Sequence, residues 1–496
     1  MSLSSIGSRL SPTVQSLVDM RRQLDDLQRQ LGTGQRSTTY AGLGLLGGVS
    51  VGLRSQLSSI GSFGEAMTNV GVRLDLSQSA LTRLVDIRQD IKSTALKATT
   101  SGEVNPGVSQ QTALSELGEV LSLLNTKSGD RYLFAGRTTD TPAVETMDHI
   151  LDGDGARAGL KQAIEERRQA DLGANGGGRV NISRPAGSAK VRLAEGNTSF
   201  GLKIESVTST LTGGTVNGPT GARSSVTVDF ATNPAVGDTV QYRLSLPDGS
   251  TETLTLTATD TSPPGDGQFT IGATPEETAD NFRTSLTVSL KKIADTSLTA
   301  ASAVAAAKDF FSDPPMRVEG PPFTSATTSI AGTEANTVFW YTGETGSDPA
   351  RSTAVARIDT SITVSYGVRA NEDGIRSVVQ NLATLAAMSF SSSDPNAAAR
   401  SVALNQRVGT TLDSSGDNGQ QTIEQIQSEL ASAQRIIKAT TDRHTETKTT
   451  LSNMVQQIEG VSDEEAAVNI LAMQTRLQAS LQTTALMLQT SLAKLI

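Results

Sequence analysis

The residues Gly42-x-Gly44-x-x-Gly47, within Tyr40-AGLGLLG-Gly48, have the spacing of a dinucleotide-binding fingerprint. Such a loop holds a pyrophosphate when a buried strand feeds its first glycine and a helix opens after its last, so that the helix amino terminus faces the phosphates. Here Gly34-QRSTTY and a long heptad pattern come before it, not a strand. Glu65 stands near the distance expected of the acidic partner, but Ser58-SIGSFGE is too rich in Ser and Gly to form the strand it should end. The glycines read instead as a flexible joint between two helices.

Other candidate chemistry is sparse. Asp152-Gly153-Asp154-Gly155 begins like a calcium loop, but position five is Ala156 and position six is Arg157 where the loop needs a ligand and a glycine. A turn before a helix over Arg157-AGLKQAIEERRQA is the simpler reading. Glu165-Glu166-Arg167-Arg168 mixes both signs and reads as a solvated helix face. The Asn-x-Ser sites at Asn181 and Asn197 carry little weight without a secretory signal. With no Cys, and His149 and His444 as the only imidazoles, zinc sites, Cys nucleophiles and His-based triads are close to excluded. The expectation is a protein that is not an enzyme, with no cofactor and no metal.

The charge of −9 and a pI near 5 argue against a nucleic-acid partner. No segment approaches the run of apolar residues that spans a membrane. The start, Met1-SLSSIGSRLSP, lacks the basic and apolar parts of a secretory signal. Absence of cysteine suits a chain that crosses membranes unfolded and ends where oxidation is a hazard.

Prolines then separate the elements. None falls between Pro12 and Pro106 or after Pro395, and most of the 16 lie between Pro142 and Pro349. Because proline costs about 3 kcal/mol inside a helix, both ends can be long helices and the middle cannot. Leucine recurs every seventh residue at Leu3, Leu10, Leu17, Leu24 and Leu31, with Ile6, Met20 and Leu27 in a second row whose weak member is Thr13. This is a coiled-coil seam, flanked by Arg21, Arg22, Asp25, Asp26 and Arg29. Ser11-Pro12 reads as an N-cap with proline at the first helical position, so the continuous helix is expected to start there.

At the other end Ile470, Leu477, Leu481, Leu488, Leu492 and Leu495 fall on one face, amid Gln, Thr, Ser and Ala. Each seam could bury about eight large side chains at ~1.5–3 kcal/mol apiece. Helices of this kind are marginal alone in water, so both ends are expected to order on assembly.

Further helices are read over Arg73-LDLSQSALTRLVDIRQDIKSTALKA, with Leu74, Leu81, Leu84, Ile87 and Ile91 on one stripe, over Ile375-RSVVQNLATLAAM, and over Gln421 to Gly460. Val240-QYRLSL and Thr253-LTLTA alternate about Pro247-DGS, a hairpin signal. Thr274-Pro275-Glu276-Glu277 is a capping box that opens a helix with Phe282, Leu286, Leu290 and Ile293 inward. The fold class is mainly α: long terminal helices pair as a coiled-coil rod, with an inserted α+β domain in the middle of the chain. The divisions are 1–38, an amino-terminal assembly helix; 39–199, a helical rod with a turn region; 200–345, the inserted outer domain; 346–457, the second part of the rod; and 458–496, a carboxyl-terminal assembly helix.

This arrangement resembles the flagellin superfamily. Ile458-EGVSDEEAAVNILAMQTRLQASLQTTALMLQTSLAKLI is similar to the carboxyl terminus of that family in its acidic start, LQAS core and leucine-rich last turn. Leu24-DDLQRQLGTGQR resembles the helix that ends in a Ser/Thr-Gly turn and a basic residue. Asn125-TKSGDRYLFAGRTTDTPAV, with Tyr132, Phe134 and Gly136, resembles a segment of the hook-associated proteins at the junction of hook and filament. Filament flagellins usually lack that segment and are the alternative. In relatives an acidic pair follows the basic residue, whereas Ser37-TTYAGLGLLGGVSVGL carries none. The resemblance implies an extracellular structural subunit of the bacterial flagellum, exported unfolded through a type III channel. It implies assembly with other copies in a ring, beside a neighbouring hook-associated protein and flagellin. The carboxyl-terminal amphipathic helix would be a handle for an export chaperone.

Overall fold

The computed structural model describes residues 4–100, 106–391, 393–413 and 419–493. In chain order its α-helices are α1 (Ser4–Thr33), α2 (Leu46–Thr100), α3 (Pro106–Leu124), α4 (Met147–Asp152), α5 (Leu160–Leu172), α6 (Pro275–Ile293), α7 (Thr299–Phe310), α8 (Asp373–Ala387), α9 (Ala397–Asp413), α10 (Ile423–Glu459) and α11 (Asp463–Ala493). Long terminal helices enclose a strand-rich centre, so the protein is mainly α. The chain divides into two units: Met1–Gly71 with Ala356–Val364 and Gln434–Ile496, and Val72–Val355 with Ser365–Ala433.

The first unit is built from α1, the start of α2, the end of α10, and α11. Pro12 lies inside α1, which begins at Ser4 and not at a cap on Ser11. A proline deletes one hydrogen bond and crowds the preceding turn, but the helix continues on both sides of it. Early α2 holds Gly47, Gly48, Gly52, Gly61, Gly64 and Gly71, each of which lowers helix propensity, so packing must hold this stretch helical. Leu53, Met67 and Val70 of α2 are buried, as are Ile437 and Leu451 of α10. Thr441 of α10 donates to the Met67 sulfur (3.4 Å). A methyl group at Gly61 would meet nothing within 4 Å. Gly61→Ala should therefore stabilise the isolated chain by about 0.5–1 kcal/mol, read as a higher denaturation midpoint.

In the second unit Leu74, Leu81, Leu84, Ile87 and Ile91 of α2 are all buried, as are Leu117, Val120 and Leu124 of α3 and Ile423, Ile426 and Leu430 of α10. Cross-links join these helices: Gln78 donates to the carbonyl of Gln427 (2.8 Å), and Arg83 pairs with Glu119 (2.6 Å). Next come the short hairpin β1 (Lys127–Ser128) and β2 (Arg131–Tyr132), then β3 (Val180–Ser183), β4 (Lys190–Glu195), β5 (Lys203–Ser209), β6 (Gly214–Thr220), β7 (Ser225–Phe230), β8 (Thr239–Ser245), β9 (Thr251–Thr259) and β10 (Gln268–Thr270). Two four-stranded sheets result, ordered β3-β4-β7-β6 and β10-β9-β8-β5, antiparallel except for the parallel β9/β10 pair. The strands of these two sheets begin at Val180, within the span 39–199 read as rod, because Val180 to Glu195 completes the first sheet.

The alternation of β8 and β9 buries Val240, Tyr242, Leu244, Leu254 and Leu256 against α6. Thr274 caps α6 by accepting from the Glu277 amide (3.2 Å), with Pro275 in the first turn. Phe230, Phe269 and Phe282 meet edge-on with centroids 5.1–6.0 Å apart, joining both sheets to α6. The α7 helix is buried nearly all round, and its run of alanines lets α5, α8 and α9 approach closely.

The turn at Asp154 accepts from the amides of Ala156 (3.2 Å) and Arg157 (2.7 Å), and α5 opens at Leu160 rather than at Arg157. The Glu165 to Arg168 cluster is not the solvated face its mixed charge predicts. Glu165 and Arg168 pair on the outside (2.7 Å), but Glu166 is 2% exposed and bound to Arg317 of β11 (Met316–Val318), which pairs with β12 (Ser329–Ala331). Arg167 reaches buried Asp171 (3.0 Å) and Asp309 of α7 (2.8 Å). One turn of α5 therefore has charge on both sides, and the inner pair is held by residues remote in sequence.

Candidate functional site

The terminal helices α1 and α11 pack on one another within the first unit. On α1 the half-buried positions are Leu17, Met20, Leu24 and Leu27, at the three-and-four spacing of a seam. Leu31, in the last turn, stays 39% exposed, while Gln30 is half-buried and donates to the carbonyl of Arg36 (3.0 Å). On α11 Ala466 and Ile470 are buried, and Met473, Leu477, Ser480 and Thr484 half-buried. Leu481 is 51% exposed and does not belong to this row. The half-buried row that starts at Ile470 steps by three and four to Ser480 and Thr484 and leaves Leu481 outside it. Ala466, Met473, Ser480 and Thr484 were legible from that spacing and missed by selecting residue type. Leu3 and Leu495 lie outside the described residues, as do the side chains of Ile6, Leu10, Leu488 and Leu492.

Four helix ends meet at the base of this pair. Gly34, in the left-handed region (φ +66°), ends α1, and its amide donates to the Gln30 carbonyl (2.8 Å). Gln35 and Gly460 form an antiparallel bridge, with the Arg36 amide on the Glu459 carbonyl (2.7 Å) and the Val461 amide on the Gly34 carbonyl (3.1 Å). Ser462 then caps α11 through the Glu465 amide (3.0 Å), and Asp463, Glu464 and Glu465 place negative charge at that helix's positive end. The last residue of α10, Glu459, accepts from Ser50 and from Arg54 of α2 (Nε 2.8 Å, Nη2 2.5 Å). Those bonds hold its carboxyl down at about 2.

The three glycines of the fingerprint-like stretch are explained here without any nucleotide. Thr39 caps a short 3-10 turn over Tyr40–Leu43, and no strand precedes it. A Cβ on Gly42 would lie 2.0 Å from Ser37 Oγ, Gly44 has φ +60°, and a Cβ on Gly47 would lie 2.4 Å from the Tyr40 carbonyl oxygen. Gly47 and Gly48 already belong to α2, so the joint is a tight corner rather than a loose tether. Gly47→Ala should open this corner at a cost of about 1–3 kcal/mol, seen as faster amide exchange from Thr39 to Gly47.

A second contact network in the same unit fixes α10. Asp359 meets His444 Nε2 (3.3 Å) and Arg443, and the backbone amide of Thr360 (2.5 Å), followed by those side chains, lowers its carboxyl to about 2. The Phe63 ring of α2 lies 6.0 Å from that of His444.

In the other unit, the aromatic segment divides its roles. Phe134 is fully buried, and its carbonyl accepts from the Ala370 amide (2.9 Å). Gly136 has φ +67° and its Cβ would strike Glu344 (2.7 Å), so only glycine fits that corner. Tyr132 is half-buried with Lys127 over its ring (4.4 Å).

Among the described residues no group of three or more acidic or imidazole side chains could hold a metal, and no helix is long and apolar enough to cross a membrane. Among solved structures, the crystal structure of Xanthomonas campestris FlgL is similar at 13% identity, over 86% of this chain and 99% of that one, with a TM-score of 0.24. No curated protein matches the chain. Residues 10–139, which carry most of α1, the corner, α2, α3 and the aromatic segment, match the family described as the bacterial flagellin N-terminal helical region.

Proposed function

We propose that this chain is an extracellular structural subunit of the bacterial flagellum, of the kind that joins hook to filament as the third hook-associated protein. The observation that carries the reading is the α1/α11 pair, whose seam is only half-buried while Val14, Val18, Val468, Leu471 and Leu481 keep apolar surface in water. Such surfaces mark contact with further protein. The family match over residues 10–139 supports a flagellin-type subunit, and the Tyr132 to Gly136 resemblance favours the junction over the filament. The subunit is exported unfolded, with α11 offered to an export chaperone. It then orders α1 and α11 against other copies in a ring, between a neighbouring hook-associated protein and flagellin.

Electron microscopy of a strain lacking the gene, with flagellin assayed in the medium, tests this. Bare hooks with flagellin lost to the medium are expected. Bare hooks without secreted flagellin would make this chain the filament flagellin, and normal filaments would place it outside the junction. In the isolated monomer, limited proteolysis should remove α1 and α11 well before it cuts the sheets. Equal resistance would contradict ordering on assembly.

A further inference from the structure

An open cleft of about 290 Å³ in the second unit is lined by Arg73 of α2, Arg131 and Tyr132 of β2, Leu133, Arg137, Tyr366 and Val368, and by no Asp or Glu. This is unusual in a chain with 51 acidic residues against 42 basic ones. Arg137 is already neutralised by Glu344 and by Asp348 (2.9 Å). Arg73 donates to the phenol oxygen of Tyr366 (3.2 Å) and has no acidic partner among the described residues. Arg131 has neither an ion pair nor a side-chain hydrogen bond among them. Arg317, Arg351 and Arg407 of this unit each sit against a carboxylate, whereas Arg179 and Arg192 bond to carbonyls and a hydroxyl instead. Arg73, half-buried, and Arg131, on the exposed rim, thus line one cavity without a carboxylate beside either.

We propose that this cleft binds the carboxylate of an organic acid, either a free small molecule or an acidic side chain offered by a second copy of the chain. A guanidinium fork matches the two oxygens of a carboxylate, and the Tyr366 hydroxyl extends the donor set. Leu133, Val368 and the Tyr132 ring supply a wall for an organic body, which a hydrated inorganic ion would leave unused. The volume lies at the small end of ligand sites, with room for about one sugar ring or one long side chain.

Calorimetric titration of the full chain tests the assignment with three probes: glucuronate for the free acid, N-acetylglutamate methylamide for the side chain, and inorganic phosphate. Saturable binding of a carboxylate probe is expected, weakened about tenfold or more by Arg131→Gln, as loss of a charge-assisted bond requires. Tyr366→Phe, which keeps the ring, should weaken it several-fold with unchanged circular dichroism. The carboxylate probe that binds more tightly identifies the source. Absence of saturable binding, unchanged affinity in both variants, or phosphate bound as tightly would overturn the proposal. Because the titration uses the isolated chain, its outcome is independent of any place in the flagellum.

Discussion

Glu166→Ala is expected to destabilise the second unit by about 3 kcal/mol, because it leaves the largely covered guanidinium of Arg317 (14% exposed) without its counter-charge. Glu166 holds Arg317 through both carboxylate oxygens, one at 3.1 Å, and also accepts from Gln162 (3.0 Å). Without it, Arg317 keeps the Asn336 carbonyl (2.8 Å), a neutral acceptor for a full charge. At 1.4 kcal/mol per tenfold, the folded-to-unfolded ratio of that unit drops by two orders of magnitude or more. Urea denaturation followed by the circular dichroism of the sheets measures it. The double variant Glu166→Leu with Arg317→Met should recover most of the loss, since apolar groups of similar size remove the unmet charge with the pair. Failure of the double variant to recover would mean that the site needs the ionic geometry itself.

The second large effect is acid loosening of the unit that carries the terminal helices. Glu459 and Asp359 both titrate near 2 in the folded chain, below the ordinary carboxylate range. Groups whose carboxyl is lowered by folding contribute stability above their unfolded value near 4, and that contribution is lost as the pH falls from there towards 2. Each is worth about 1–2 kcal/mol at neutral pH, after allowing for the water around half-exposed Arg54 and Arg443. Amide protection factors, taken relative to the intrinsic exchange rate at each pH, should fall at Gly34 to Leu45 and along late α10 between about pH 4.5 and 2. In Glu459→Gln with Asp359→Asn the same amides should exchange faster already at pH 7 and respond less to acid. A variant with the wild-type pH profile would remove both carboxylates from the account.

The sequence displayed the seams because leucine and isoleucine at heptad spacing have few other uses. Leu17, Met20, Leu24, Leu27, Ile470 and Leu477 all lie where that spacing puts them. Leu481 lies outside the half-buried row through Ser480 and Thr484 and keeps its apolar surface exposed. The capping box at Thr274 and the hairpin of β8 and β9 were legible for the same reason, since their signals are local. The burial of Glu166 was not, because its partner is 151 positions away and nothing near Glu166 announces it. The corner at Gly42, Gly44 and Gly47 fell between these cases. Its spacing was visible, but the close approaches of Ser37 and the Tyr40 carbonyl that require glycine exist only once the chain has turned.

The bridge between Gln35 and Gly460 joins segments from opposite ends of the chain. Closing a loop that long is costly unless intervening structure has already shortened it, so this contact belongs to the slow, late part of folding. Once α2 and α10 lie side by side, from Met67 and Thr441 towards Ser50 and Glu459, the remaining gap is a few residues and closure becomes local. A chain delivered amino end first therefore holds α1 without its mate until the final helix has followed it out. The order in which the chain is made would by itself keep the two ends apart until the last helix is complete.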